Sequence, residues 1–178
     1  MKAQHGWTLI ELLIVVAVAT VLASVAVPAV SGGLEAARGA DARAALMASL
    51  MAASNRAAMT GTRGVLCPST DGLNCTDSPD WSLGWLVFMD INASREIDAG
   101  EPILRVQPSL AGRVRLRSTV GRTRIVFQGN GGNAGSNVTF TLCDGRGPTK
   151  ARALILSNTG NLRDGDATAD NLAATCVR

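Results

Sequence analysis

The chain has 178 residues, 47% apolar and 17% charged, with a formal net charge of +3. That composition excludes a disordered or heavily charged tail protein and leaves room for one domain with an appendage. Three Trp, three Phe and no Tyr argue against a stacking platform for single-stranded nucleic acid.

The first predicted element is an apolar span, Trp7 to Val30, whose one charge is Glu11. At about 1.5 Å per residue it crosses a hydrocarbon core of about 30 Å. It is too long for the apolar core of a secretory signal. Residues 1–6 precede it, and Lys2 with the amino terminus places positive charge there. This predicts a cytoplasmic N-terminus and an exported remainder. A carboxylate inside such a helix costs about 2.5–3.5 kcal/mol on insertion scales, so Glu11 calls for a specific partner. Cleavage after Gly6 would create an α-amino group on Trp7, four residues before Glu11. In an assembly of parallel helices, that amine can meet the Glu11 of a neighbour.

The run Gly6-Trp7-Thr8-Leu9-Ile10-Glu11-Leu12-Leu13 resembles the type IV prepilin motif. Trp7 replaces the usual Phe. The resemblance implies that prepilin peptidase removes residues 1–6 as a cytoplasmic leader and methylates Trp7. It also implies that Glu11 guides assembly with other pilins through the first helix. The implied localisation is the inner membrane, single-pass, with a periplasmic C-terminal domain and an extracellular filament after assembly.

Residues 7–30 form the transmembrane half of the predicted helix, and residues 31–60 its amphipathic half. In the second half, Leu46, Leu50, Ala53 and Ala57 fall on one helical face. Glu35 and Arg38 are spaced to pair on the outer face. We expect one helix from about 8 to 59, loosened near Pro28 and Ser31-Gly32-Gly33. A linker at 31–40 before an independent helix is the alternative.

Residues 61–178 change to short apolar runs broken by Gly, Pro, Asn and Asp. Strands are predicted at 83–89, 103–107, 113–116, 124–128, 138–142 and 153–157, with a flexible loop at 129–137. The fold class is therefore α+β: a long N-terminal α-helix under an antiparallel β-rich domain.

Four cysteines, Cys67, Cys75, Cys143 and Cys176, lie on the exported side, which favours disulfides. Three pairings are open. We favour Cys67–Cys75, which closes a short loop, and Cys143–Cys176, which ties the tail to a strand. Chain-entropy arithmetic gives these about 2.5 and about 3.8 kcal/mol. No CxxC pair exists, and the one histidine, His5, falls in the leader. Structural zinc and Ser/His or Cys/His catalysis therefore lack their residues. No cofactor and no enzymatic activity are expected.

Downstream stretches resemble the GspH/FimT family of minor pilins and pseudopilins. They are Gly84-Trp85-Leu86-Val87-Phe88-Met89-Asp90, Glu101-Pro102-Ile103-Leu104-Arg105, and Cys143-Asp144-Gly145-Arg146-Gly147 with Ala151-Arg152-Ala153. The family implies a minor pilin at the tip or initiation complex of a type IV pilus. The alternative is a minor pseudopilin of a type II secretion system. In FimT-type proteins a Gly-Arg-x-Arg motif contributes to DNA uptake. Here that place reads Gly160-Asn161-Leu162-Arg163, so only Arg163 matches.

Two further Gly-Arg-x-Arg strings lie outside the family position. Residues 1–100 carry 6 basic and 9 acidic groups, whereas residues 101–178 carry 11 and 5. On a strand, Arg113, Arg115 and Arg117 share one face, with Arg122 and Arg124 repeating it on a returning strand. Such a face can track the phosphates of double-stranded DNA. The same arrangement also describes a solvated sheet face.

Residues 90–101 align with a twelve-residue calcium loop. Asp90, Asn92, Ser94, Asp98 and Glu101 fall at positions 1, 3, 5, 9 and 12. Arg95 stands where such loops have Gly. The alternative is a polar hairpin connection without metal.

Overall fold

A computed structural model describes residues 8–133 and 135–176. The chain divides into two compact units, residues 1–34 and 35–178.

In the first unit the backbone is helical from Leu9, the start of α1 (Leu9–Thr60). Its apolar side chains are all exposed. The expected loosening near Pro28 and Gly32-Gly33 is not seen, and the helix runs through them. Pro28 removes one N–H from the ladder, which by itself breaks a single hydrogen bond. The hydroxyls of Thr20, Ser24 and Ser31 donate to carbonyls three residues earlier, at 2.8, 2.7 and 3.0 Å. The alternative of a linker at 31–40 is excluded by the same continuity.

The second unit takes the rest of α1 and eight strands in two antiparallel sheets. They are β1 (Arg63–Pro68), β2 (Trp85–Asp90), β3 (Ile103–Gln107), β4 (Arg115–Ser118), β5 (Ile125–Phe127), β6 (Val138–Cys143), β7 (Arg152–Leu156) and β8 (Leu162–Gly165). A short helix, α2 (Ala169–Cys176), ends the fold. The first sheet has the order β3-β2-β1-β5 and the second β4-β6-β7-β8.

Helix α1 buries Glu35, Gly39, Ala42, Leu46, Ser49, Leu50, Ala53 and Ala57, a stripe at steps of three and four. Leu46, Leu50, Ala53 and Ala57 are the face expected from periodicity. Small residues in the stripe let backbones approach. A Cβ on Gly64 of β1 would stand 2.7 Å from the Ala53 carbonyl oxygen, so only Gly fits there. The main core joins this stripe to Leu66, Trp81, Trp85, Leu116, Phe127, Phe140 and Leu154. Within it, Trp81 meets Phe140 edge-on at 5.2 Å. A second cluster, Val65, Cys67, Leu86, Phe88 and Val126, covers the other face of the first sheet. Strand β2 is thus buried on both faces, which explains its unbroken apolar run.

Three expectations need correction. Strands β4 and β5 are not a returning pair: they belong to different sheets. Between them the chain turns at Thr119–Arg122 and crosses over. The described residues of the segment 129–137 are held by bonds to the fold. Gln128 N–H bonds the Gly132 carbonyl at 2.6 Å, Ser54 Oγ bonds the Gly131 carbonyl at 2.9 Å, and Asn133 is buried. Glu35 faces inward, not outward, because its Oε2 accepts the Gly145 N–H at 3.0 Å while Oε1 accepts Arg38 at 2.8 Å.

Buried Trp85 Nε1 donates to Ser49 Oγ at 2.9 Å, and Ser49 Oγ donates to the Ala45 carbonyl at 2.8 Å. Ser49→Ala leaves the indole N–H without a partner, a cost of about 1–3 kcal/mol. For a chain of this size we expect a melting temperature lower by about 2–10 °C, measured by thermal unfolding of the full chain in detergent.

Candidate assembly and interaction sites

At the start of α1, Thr8 and Glu11 bond reciprocally. Thr8 N–H and Oγ1–H donate to Glu11 Oε2 at 3.2 and 3.1 Å, and Glu11 N–H donates to Thr8 Oγ1 at 3.3 Å. This is a capping box. Its sequence signal is Thr followed three residues later by Glu ahead of an apolar run. Both Thr8 bonds end on Oε2, so Oε1 has no partner among the described residues. Gly6 and Trp7 lie outside the described residues.

Two disulfides form, Cys67–Cys75 and Cys143–Cys176, with Cα separations of 5.5 and 5.6 Å. Inside the first loop, Asp71 accepts the Asn74 side chain and the N–H groups of Leu73 and Asn74, all at 2.8 Å. These bonds, Asn74 foremost, hold its carboxyl well below the usual carboxylate range. The second disulfide ties the end of α2 to the end of β6.

That attachment sets the surroundings of the basic residues. In the second sheet, Leu116, Phe140, Leu142, Leu154 and Leu156 face the core. By register, Arg115 lies opposite Cys143, Arg117 opposite Thr141, and Arg163 opposite Ile155. These three arginines share the outer face, with Arg115 and Arg117 on one edge strand and Arg163 on the other. Helix α2 packs against β4 and β6. A cleft of about 170 Å³ is lined by Arg113, Arg115, Asp144, Gly145 and Thr175. A second, of about 280 Å³, is lined by Asp80, Ser82, Arg115, Arg117 and Thr175. Among the described residues, Arg113, Arg115, Arg117 and Arg163 form no ion pair.

Arg122 and Arg124 do not join them, because both are spent on the fold. Arg122 donates to the Gly135 carbonyl at 2.8 Å and to Asn137 Oδ1 at 3.2 Å. Arg124, with 12% of its side chain exposed, pairs with Asp77 at 3.0 Å and Glu96 at 2.7 Å. It also donates to the carbonyls of Thr76 and Arg95.

The floor of the first cleft is fixed by carboxylates. Glu35 holds the Gly145 N–H, and Asp144 takes Arg146 through Nε at 3.0 Å and Nη2 at 2.7 Å. Arg146 beside it holds the Asp144 carboxyl below the usual range, against the opposing effect of burial. The calcium-like string 90–101 connects β2 to β3 and stands apart from these clefts.

Comparison with known proteins gives four findings. The family model described as type II transport protein GspH matches residues 42–160. The prokaryotic N-terminal methylation motif matches residues 1–27. Among curated proteins, none matches the chain. The structure resembles two crystal forms of the Pseudomonas aeruginosa type IV minor pilin FimU. The first has a TM-score of 0.55 at 17% identity, covering 82% of this chain and 97% of that one. The second has a TM-score of 0.54 at 18% identity, covering 70% and 90%. At such identity the likeness establishes the fold.

The Asp144–Arg146 pair predicts a pH effect. A depressed carboxyl contributes stability in full above its unfolded value, near 3.9, and loses it as pH falls through the folded value. Arg146→Gln should therefore lower the melting temperature at neutral pH. The gap from wild type should close as pH is lowered toward 2 in a thermal-unfolding series.

Proposed function

The chain belongs to the GspH family, and from that premise we propose that it is a minor pilin of a type IV pilus, a structural subunit rather than an enzyme. Prepilin peptidase cuts after Gly6 and methylates Trp7. The helix from Leu9 holds the subunit in the inner membrane, with the unit from Glu35 in the periplasm. The subunit then enters the filament, where it primes assembly or sits at the tip.

The observation that carries this reading is Glu11. Its carboxylate heads an apolar helix, and only one of its oxygens is used by Thr8. The new amino group of a neighbouring subunit supplies a cation for the other. Docking would satisfy a charge that is otherwise costly in lipid. The family model's own description supports the second reading, a minor pseudopilin of a type II secretion system. Both readings use the same N-terminal chemistry.

Within the first reading, the outer face of the second sheet is a candidate surface for double-stranded DNA. Among the described residues, Arg113, Arg115 and Arg117 along one edge of the sheet form no ion pair, although Asp80 and Asp144 line the same clefts, and Arg163 adds a cation at the other edge. Guanidiniums so placed neutralise phosphates with little sequence preference.

Four measurements test these statements. Gly6→Ala should block leader removal, seen as a precursor of higher mass. Glu11→Ala should leave processing intact but reduce the subunit recovered in sheared filaments at least tenfold; normal incorporation of both variants contradicts the proposal. If filaments form normally in a deletion strain while protein secretion stops, the pseudopilin reading replaces the pilus one. For DNA, replacing Arg113, Arg115 and Arg117 together by Gln should weaken duplex binding and reduce the log–log salt slope by about 2.7. Unchanged binding removes that surface from the account.

A further inference from the structure

We propose that the cleft between the first turns of α1 in the second unit and the β6–β7 connection binds the headgroup phosphate of an anionic phospholipid. Such a site rests on the membrane-embedded reading of the apolar half of α1, and not on the choice between pilus and secretion system.

The cleft holds about 170 Å³ and is lined by Ala36, Gly39, Arg43, Arg146, Lys150 and Arg152, with Asp144 beside them. The helix supplies almost no bulk here, because its residues at the gap are Ala36, Gly39 and Ala40. A Cβ on Gly39 would stand 2.9 Å from Asp144 Oδ2. The opposite wall is the connection from β6 to β7. Lys150 ends the 3₁₀ turn Pro148–Lys150, and Arg152 opens β7. By register Arg152 lies opposite Leu142, a residue of the core. Directly opposed residues share a sheet face, so Arg152 is on the helix side of the second sheet. It is nonetheless exposed, since Gly39 and Ala40 do not reach over it. Arg115 and Arg117 pair with Cys143 and Thr141, on the outer face, so the two sets of cations are separate.

Charge in this cleft does not balance. Arg43 pairs with Asp164 at 2.9 Å, and Arg146 with Asp144 at 2.7 Å. Among the described residues, Lys150 and Arg152 form no ion pair. Four cations against two carboxylates leave two positive charges in one concavity. Crowded like charges repel, and an anion entering among them relieves the repulsion. Both Asp144 oxygens already accept Arg146 donors, and Asp164 Oδ2 is taken by Arg43. The cleft therefore offers an ammonium group little, which selects an anionic headgroup over a zwitterionic one. Guanidinium matches phosphate oxygens through paired N–H donors, and Lys150 adds a mobile point charge.

Position in the chain supplies the source of the phosphate. Ala36 comes six residues after Val30, where the apolar span ends. Six residues reach at most about 22 Å, however the two units are oriented. Headgroups fill about 5–8 Å beyond the hydrocarbon on each side of a bilayer. Long Lys and Arg side chains extend toward that layer while their stems stay on the protein.

The test is a lipid titration of the full chain in neutral detergent, read by thermal unfolding and native mass spectrometry. Short-chain phosphatidylglycerol should raise the melting temperature and bind as a single lipid per chain. The matching phosphatidylcholine and inorganic phosphate should do neither. Lys150→Gln with Arg152→Gln should fold normally in detergent alone, since both side chains are exposed. It should bind phosphatidylglycerol about thirtyfold more weakly, about fivefold for each cation, and Lys150→Gln alone about fivefold more weakly. Arg56→Gln with Arg105→Gln removes the same charge from exposed positions elsewhere and should keep wild-type binding. An equal shift with phosphatidylcholine or inorganic phosphate, no shift with phosphatidylglycerol, or equal weakening in the two double variants would each overturn the assignment. The readout involves neither leader cleavage nor filament recovery. Its failure leaves the pilin reading standing, and normal behaviour of Gly6→Ala and Glu11→Ala leaves the lipid site standing.

Discussion

One narrow stripe on a helix must be shared by two sheets, and the second unit is arranged around that requirement. A helix presents a single apolar face of roughly 100°. Covering it with two sheets brings backbones close, and side-chain size becomes the limit. Gly39, Ala42, Ala53 and Ala57 keep the stripe low, and Gly64 of β1 has no room for a Cβ. The larger volume comes from the sheets, as Trp81, Trp85, Phe127 and Phe140. The Ser49–Trp85 bond lets Trp85 fill space without leaving its N–H unpaired.

Both faces of β2 are then committed, one to the helix stripe and one to the second cluster. The second sheet is different. Its inner face meets the core, while its outer face carries Arg115, Arg117 and Arg163 beside α2. Its β4 edge is blunted, because Trp81 N–H bonds the Leu116 carbonyl and Ser118 N–H bonds the Pro79 carbonyl. An edge closed in this way resists strand addition from another chain, leaving the side chains as its means of recognition.

Much of this was legible in the sequence because it rests on periodicity. The helix stripe, the apolar run of β2 and the strand at 103–107 each carry a pattern spanning several residues. Strand β1 has only Val65, Leu66 and Cys67 between a Gly and a Pro, and β8 reads Leu162-Arg163-Asp164-Gly165. Both are held by register against their neighbours, a non-local cause with no local signature. Helix α2 is eight residues with one large apolar side chain, too short for a period to show. The inward turn of Glu35 was equally hidden. Its partner is a backbone N–H 110 positions away, and at i, i+3 an outward ion pair reads the same.

The arginine strings show how far residue counting reaches. Gly112-Arg113-Val114-Arg115 and Gly121-Arg122-Thr123-Arg124 match in pattern, yet their fates differ. The first runs into an edge strand whose alternate residues, Val114 and Leu116, are buried, so its cations turn outward. The second occupies the crossover between sheets, where carbonyls of Thr76, Arg95 and Gly135 point at the chain and need donors. Guanidinium supplies several donors in a fixed fork, so Arg satisfies them where Lys would leave some open. The basic excess of residues 101–178 is therefore not one field. Part of it ties the two sheets and the 90–101 loop together. Among its described members without an ion pair, Arg115, Arg117 and Arg163 lie on the outer face of the second sheet.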